Sequence, residues 1–192
     1  MTYFDAFRRH WPLINIDSKQ HKGHKMASLQ SISTTPDALL QLVTFKVSDE
    51  EYGVDILSVQ EIIRHTGITR VPNAPTFVEG ILNLRGKVIP IIDMRKRFGL
   101  ATRQPDAQTR IVVFALASGV IGCQVDSVSE VLRLPSSMVD PPPAVAAGVD
   151  SKYILGVGRL NDRLLILLDF NQVLTGEELD AIYGNHTDNQ QR

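Results

Sequence analysis

The chain has 192 residues, 43% of them hydrophobic, and its 20 basic and 21 acidic side chains leave a formal charge of −1. That length buries a sizeable core and houses one or two domains, and the balanced charge excludes the basic excess that nucleic-acid binding demands. One cysteine, Cys123, excludes an internal disulfide framework and a cysteine metal cluster, and no apolar run reaches the roughly 18 residues of a membrane-spanning helix.

Residues 1–35 differ from the rest. They hold three of the five histidines, the only tryptophan (Trp11) and a basic cluster from Lys19 to Lys25. Their apolar residues keep no sustained period, so a flexible tail is expected. Arg8 and Arg9 precede only a short apolar patch, which is not a secretory signal. His10, His21 and His24 lack cysteine or carboxylate company and are expected to be solvated rather than metal-bound. Met26 is an alternative start of translation, which an intact mass from the native host decides.

Leu42–Val47 alternates, with Val43, Phe45 and Val47 on one face, and reads as a half-buried strand. Ser48–Glu51 is a polar turn, and Tyr52–Ile56 returns as the second strand. Leu57–Arg64 suits a helical turn or a strand equally. Val71-Pro-Asn-Ala-Pro75 must be a loop, with a short helical turn expected at Thr76–Glu79. Gly80–Leu84 and Lys87–Met94 flank Arg85-Gly86 as a tight hairpin, in which Pro90 calls for a bulge or an edge position. Arg95–Gln108 reads as a linker. Arg110–Ala117 and Val120–Val125 are strands around a Ser118-Gly119 turn. A long loop carrying Pro135 and Pro141-Pro-Pro143 follows. Tyr153–Leu160 and Arg163–Leu168 form a second hairpin about Asn161-Asp162. Phe170–Tyr183 reads as a terminal helix capped by Asn171, its regularity weakened by Gly176.

Part of this order occurs twice. Tyr52-Gly-Val-Asp-Ile-Leu-Ser-Val-Gln-Glu-Ile-Ile-Arg64 is echoed by Ile121-Gly-Cys-Gln-Val-Asp-Ser-Val-Ser-Glu-Val-Leu-Arg133, and Gly80–Asp93 by Gly156–Asp169. Two similar β-rich subdomains follow, each a small barrel of about five strands, with a seam between them.

No catalytic set emerges. Gly156-Val-Gly158 is a fragment of a dinucleotide fingerprint in a hairpin position, and there is no P-loop, nucleophile elbow or His-Glu-x-x-His. Asp93 and Asp169 each end an apolar strand and are expected to bind backbone amides there rather than act as an acid–base pair. His65 has no acidic or nucleophilic neighbour in sequence. Cys123 reads as a buried structural thiol. Glu61 and Arg85 interrupt apolar contexts. They are either surface residues or a pair, worth about 3–5 kcal/mol if buried and about 0–1 kcal/mol if exposed.

At Val59-Gln-Glu-Ile62, Gly80-Ile-Leu-Asn-Leu-Arg-Gly86 and Val88-Ile-Pro-Ile-Ile-Asp-Met-Arg95 the chain resembles the bacterial chemotaxis coupling proteins, the CheW family. The resemblance runs from about Leu39 to Tyr183 and includes Gly156–Asp169. It implies a mainly β fold: two tandem SH3-like five-stranded barrels with short helical turns and a C-terminal helix. The domain would span 39–184, in pseudo-repeats of about 39–100 and 109–170, with 185–192 as a tail. It implies no catalysis, cofactor or metal. The implied role is an adaptor between the cytoplasmic tips of chemoreceptors (methyl-accepting chemotaxis proteins) and the regulatory domain of a CheA-type histidine kinase. The alternative is the same role in a chemosensory-like pathway controlling pilus motility or a second messenger. The protein would be cytoplasmic, recruited to membrane-associated receptor arrays and monomeric outside them. Carried over by resemblance, Val59, Ile62, Glu79, Gly80 and Val88 form the kinase surface. Glu61, Arg85, Gly122, Val128 and Val131 form the receptor surface at the seam.

Overall fold

The computed structural model of the chain describes residues 38–142 and 152–184. The expected N-terminal tail, the Met26 question, most of the proline- and alanine-rich loop, and the 185–192 tail lie outside the described residues. The elements are β1 (Leu39–Val47), β2 (Glu50–Asp55), β3 (Val59–Arg64), β4 (Val78–Leu84), β5 (Lys87–Asp93), α1 (Met94–Arg97), β6 (Arg110–Leu116), β7 (Gly119–Val125), β8 (Ser127–Pro135), β9 (Val139–Asp140), β10 (Ile154–Leu160), β11 (Arg163–Leu168) and α2 (Gly176–Gly184). Single 3-10 turns occupy Ile56–Ser58, Ser136–Met138 and Phe170–Gln172.

The strands form a six-stranded sheet, β8-β1-β2-β11-β10-β9, and a five-stranded sheet, β3-β6-β7-β5-β4. The fold is mainly β with two subdomains, but the sheets do not divide where the sequence repeats divide. Each takes its first hairpin from one repeat and its remaining strands from the other. β1 and β2 join β8–β11, while β6 and β7 join β3–β5. The exchange keeps an equivalent register on both sides. Phe45 lies opposite Val128 as Phe114 lies opposite Val59, and the parallel pairs Leu167–Gly53 and Ile91–Gly122 correspond. Both glycines are approached closely by side-chain ends of the neighbouring strands. A Cβ on Gly53 would lie 3.0 Å from Leu165 and Leu167, and one on Gly122 would lie 2.5 Å from Ile91.

Each unit has an apolar interior: Leu40, Leu42, Leu134, Leu155, Leu165 and Leu167 in the first, and Leu82, Ile89, Ile91, Ile111 and Val113 in the second. The largest cluster lies between the units, where Val43, Phe45, Tyr52 and Val54 meet Ile92, Val112, Phe114, Ile121 and Cys123. Phe170 stacks on Phe114 at 3.8 Å and meets Phe45 edge-on at 6.3 Å, so one ring fills the middle of the seam. Burying such a ring contributes about 1.5–3 kcal/mol from its area alone.

Local chemistry accounts for several departures from the sequence expectation. Asp55 accepts from Leu57 N and closes the 3-10 turn, after which the ambiguous segment becomes β3. No helix forms at Thr76–Glu79, because β4 already starts at Val78. Pro90 sits in an interior strand without a bulge. Opposite it, Ile81 exchanges both backbone bonds with Thr69, so the Pro90 nitrogen points away from β4, where the ladder with β7 begins only at Ile91. Pro135, expected in a long loop, instead ends β8, which occupies Ser127–Pro135. A bulge opposite Thr44 disturbs its alternation, and the buried Thr44 hydroxyl both donates to and accepts from the Glu130 backbone. The terminal helix is broken. Asp169, not Asn171, caps the Phe170 turn, and α2 starts afresh from a capping box in which Thr175 and Glu178 exchange side-chain-to-amide bonds of 2.8 and 3.2 Å. Gly176 is therefore a first-turn residue.

Candidate functional site

The seam has two apolar rims, one from each sheet. Val59 on β3 and Val128 on β8 are half-buried against the central cluster. Further along the same strands, Ile62 lies opposite Val112, and Val131 lies opposite Val43. Directly opposed residues share a face, so these side chains are on the seam side of their sheets. Bulges next to Val59 and Val43 allow it, because one extra residue shifts the alternation. Ile62 is 41% exposed and Val131 59% exposed.

The β4–β5 hairpin turns at Arg85 and Gly86, both at positive φ (52° and 86°), the pattern of a tight type I′ turn. Asn83 Oδ1 accepts from Gly86 N at 2.8 Å. From this tip Arg85 donates to Glu61 at 2.9 Å, linking β3 to the hairpin. The Arg85 side chain is 81% exposed, so the pair contributes about 0–1 kcal/mol. The other sheet closes on Glu130, the repeat equivalent of Glu61, with an arginine from another position: Arg163 contacts Glu130 at 2.7 Å and also Glu51 at 3.2 Å. Beside each closure stands an exposed apolar residue at a repeat-equivalent position, Val88 on β5 and Leu164 on β11.

The expected site residues thus separate. Val59 and Ile62 share the seam with Val128 and Val131, and Glu61 is joined to Arg85. Gly80 and Gly122 are buried and offer no surface to a partner. A Cβ at Gly80 would lie 2.2 Å from Thr69 O, at a φ of +154°, so the residue is a backbone requirement. Gly122 faces Ile91 and Ile111 inside its barrel. Glu79 is held by Lys96 at 2.5 Å and belongs to a fan of contacts about α1. In that fan Arg97 pairs with Glu178, and Arg95 grips Asp126 through two bonds of 2.7 and 2.8 Å. Burial works against the Asp126 charge, but the bonds from Arg95 and Ser48 N hold its carboxyl below the usual range.

Asp93 accepts from Arg95 N and Lys96 N to cap α1, and Asp169 accepts from Asn171 N. Both carboxylates bind amides, as their sequence positions suggest. Burial raises the Asp93 pKa, and the two amide bonds oppose that shift. Cys123 is fully buried, which pushes its thiol well up. Among the described residues no three His, Cys, Asp or Glu side chains are placed to hold a metal ion, and no helix is long and apolar enough to cross a membrane. Sequence reading missed Leu164, although the repeat itself maps Val88 onto it.

A family model described as the CheW-like domain matches residues 41–178. The chain is 38% identical over 159 residues to the chemotaxis protein CheW of Klebsiella aerogenes, covering 82% of this chain and 96% of that protein. It is 35% identical over 150 residues to CheW of Helicobacter pylori, covering 78% and 90%. Among solved structures it is similar to the scaffolding protein TtCheW from Thermoanaerobacter tengcongensis, with a TM-score of 0.67 and 34% identity, over 73% of this chain and 97% of that one.

Proposed function

The chain belongs to the CheW-like family of chemotaxis scaffold proteins, and on that premise we propose that it is a non-catalytic adaptor joining chemoreceptor tips to the regulatory domain of a CheA-type histidine kinase. It works in the cytoplasm and is recruited to receptor arrays at the membrane. The observation that carries this reading is the repeated pair of exposed apolar side chains, Ile62 with Val88 and Val131 with Leu164, on sheets whose other large apolar residues are mostly buried. Exposed apolar positions placed alike on two units suit protein partners. Apolar rims along a seam suit the i, i+3, i+4 face of a helix, the form in which a receptor tip is offered.

In this reading Val59, Ile62 and Val88 carry the kinase face, while Val128, Val131 and the Glu61–Arg85 pair carry the receptor face. Gly80, Gly122 and Glu79 act on these faces through the backbone and packing. Calorimetric titration with the isolated regulatory domain of a CheA-type kinase from the same genome tests it. Saturable one-to-one binding, lost in Ile62→Glu but kept in Val131→Glu and Arg85→Ala, is expected. The last two variants should instead lose receptor coupling. No binding to any such kinase domain, or equal losses in all three variants, overturns the assignment.

A further inference from the structure

β3 and β6 carry a like-charge pair that the rest of the fold leaves unanswered. Arg64 lies directly opposite Arg110, so their side chains leave one face of the sheet about 5 Å apart. Arginine does not lose its proton in proteins, and like charges opposed in this way destabilise a sheet. Among the described residues neither arginine forms an ion pair. Arg64 is exposed. Arg110 donates from Nη1 to Ala107 O at 2.8 Å and to Thr109 O at 2.9 Å, which holds its guanidinium at the start of β6. The acids close by in sequence are committed elsewhere. Asp106 bonds Arg103 and the amides of Gln108 and Thr109, and Glu61, on the other face of β3, is joined to Arg85.

The fold does not require two arginines here. At the repeat-equivalent positions of the six-stranded sheet, Arg133 lies opposite Gln41. The register is the same, because Val131 lies opposite Val43 there as Ile62 lies opposite Val112 here. The doubled charge therefore belongs to one unit only. It also continues that unit's apolar rim. Arg64 follows Ile62 by two residues, so it stands on the same seam-side face about 7 Å further along.

Resting on the adaptor reading, in which Val59 and Ile62 meet the kinase, we propose that Arg64 and Arg110 together receive a carboxylate side chain of the kinase regulatory domain. That acid is the counter-ion the pair lacks. Two guanidinium groups directed at one carboxylate fix its position as well as its charge. The apolar rim holds the partner and the arginine pair sets its register. With Gln41 in place of the second arginine, the six-stranded unit has no equivalent site.

Calorimetric titration of the full chain with the isolated regulatory domain of a CheA-type kinase from the same genome tests this, with a melting curve for each variant. Arg64→Glu supplies the missing carboxylate from within the sheet, so its melting temperature should hold or rise while affinity for the kinase domain falls by about tenfold or more. Arg110→Gln, which copies the other unit, should weaken binding by about tenfold, the scale of one hydrogen bond to a charged group. Arg133→Gln should leave affinity unchanged. In Arg64→Lys a carbodiimide should join the new amine to one Asp or Glu of the bound kinase domain. Unaltered affinity in Arg64→Glu, an equal loss in Arg133→Gln, no such cross-link, or a fall in melting temperature that accounts for the lost affinity overturns the proposal and leaves the adaptor reading in place. No binding by the unsubstituted chain overturns both.

Discussion

Leu42, Leu165 and Leu167 fill the six-stranded unit at the positions where Ile111, Ile89 and Ile91 fill the five-stranded one. Gly53 answers Gly122, and Asp169 answers Asp93. The polar residues are copied only in part: Glu130 answers Glu61, but the arginine each one meets comes from a different position. Thr44 is buried in one unit where Val113 is buried in the other, and Arg163 between two carboxylates replaces the single Glu61–Arg85 contact. The backbone plan is shared because register and the missing Cβ at each parallel crossing leave little choice. Charge is free to differ because closing either barrel needs only some contact across the gap. The two units therefore differ mainly in the polar residues around otherwise similar exposed apolar pairs.

The sharpest way to break this comparison is to remove what the units share. Phe170→Ala should destabilise by about 3–5 kcal/mol, because the ring packs on both Phe45 and Phe114. Denaturant unfolding measures it. Two separated transitions would show that the seam couples the units, whereas a loss below about 1 kcal/mol would mean the cluster repacks without the ring.

The bulge glycines give the next largest contrast. Gly80→Ala combines a positive φ with a 2.2 Å approach to Thr69 O, whereas at its counterpart Gly156 the nearest atom, Asp140 O, would be 2.6 Å away and no positive φ adds to the strain. The first substitution should cost about 1–3 kcal/mol and the second less. Kinase-domain affinity measured below the melting transition should be little changed in Gly80→Ala, since the residue is buried. A large loss of affinity at full folding would make it a contact residue after all.

The smallest effect sharpens the comparison of the two capping aspartates. Asp93→Ala should cost about 0.5–2 kcal/mol through loss of the α1 cap, while Asp93→Asn keeps the acceptor. The Asp93 pKa is raised in the fold, so the folded protein holds this proton more tightly than the unfolded chain does. The associated stability is fully present below the unfolded value near 3.9 and is lost as pH rises through the folded value. Melting curves across that window should show the wild type losing ground to Asp93→Asn as pH rises. A pH-independent difference would place the raised pKa elsewhere.

Much of this was legible from residues close in sequence. The Asn-Leu-Arg-Gly hairpin and the amide-binding aspartates each depend on neighbours a few positions away. Where the reading failed, the deciding partner was remote. The bulge of β8 is set by Thr44, and Pro90 needs neither the bulge nor the edge position its sequence calls for because Thr69 bonds Ile81 from the far side. Among the candidate site residues, Glu61 and Arg85 stood out as polar interruptions, but their contact is made only when β3 meets the hairpin tip. Gly80 and Gly122 were visible as small residues, yet only packing shows that they are enclosed.

Two similar β-rich halves and the hairpins within them follow from periodicity and turn chemistry, which are local properties of the chain, while the family was legible through the resemblance of the motifs at Val59–Ile62, Gly80–Gly86 and Val88–Arg95. Tertiary structure alone decided that the halves exchange their first hairpins and that Phe170 fills the seam between them. It also decided which apolar side chains are left at the surface. Pairing between distant strands is selected by the burial of whole faces, and no local pattern of residues records which distant face will be chosen.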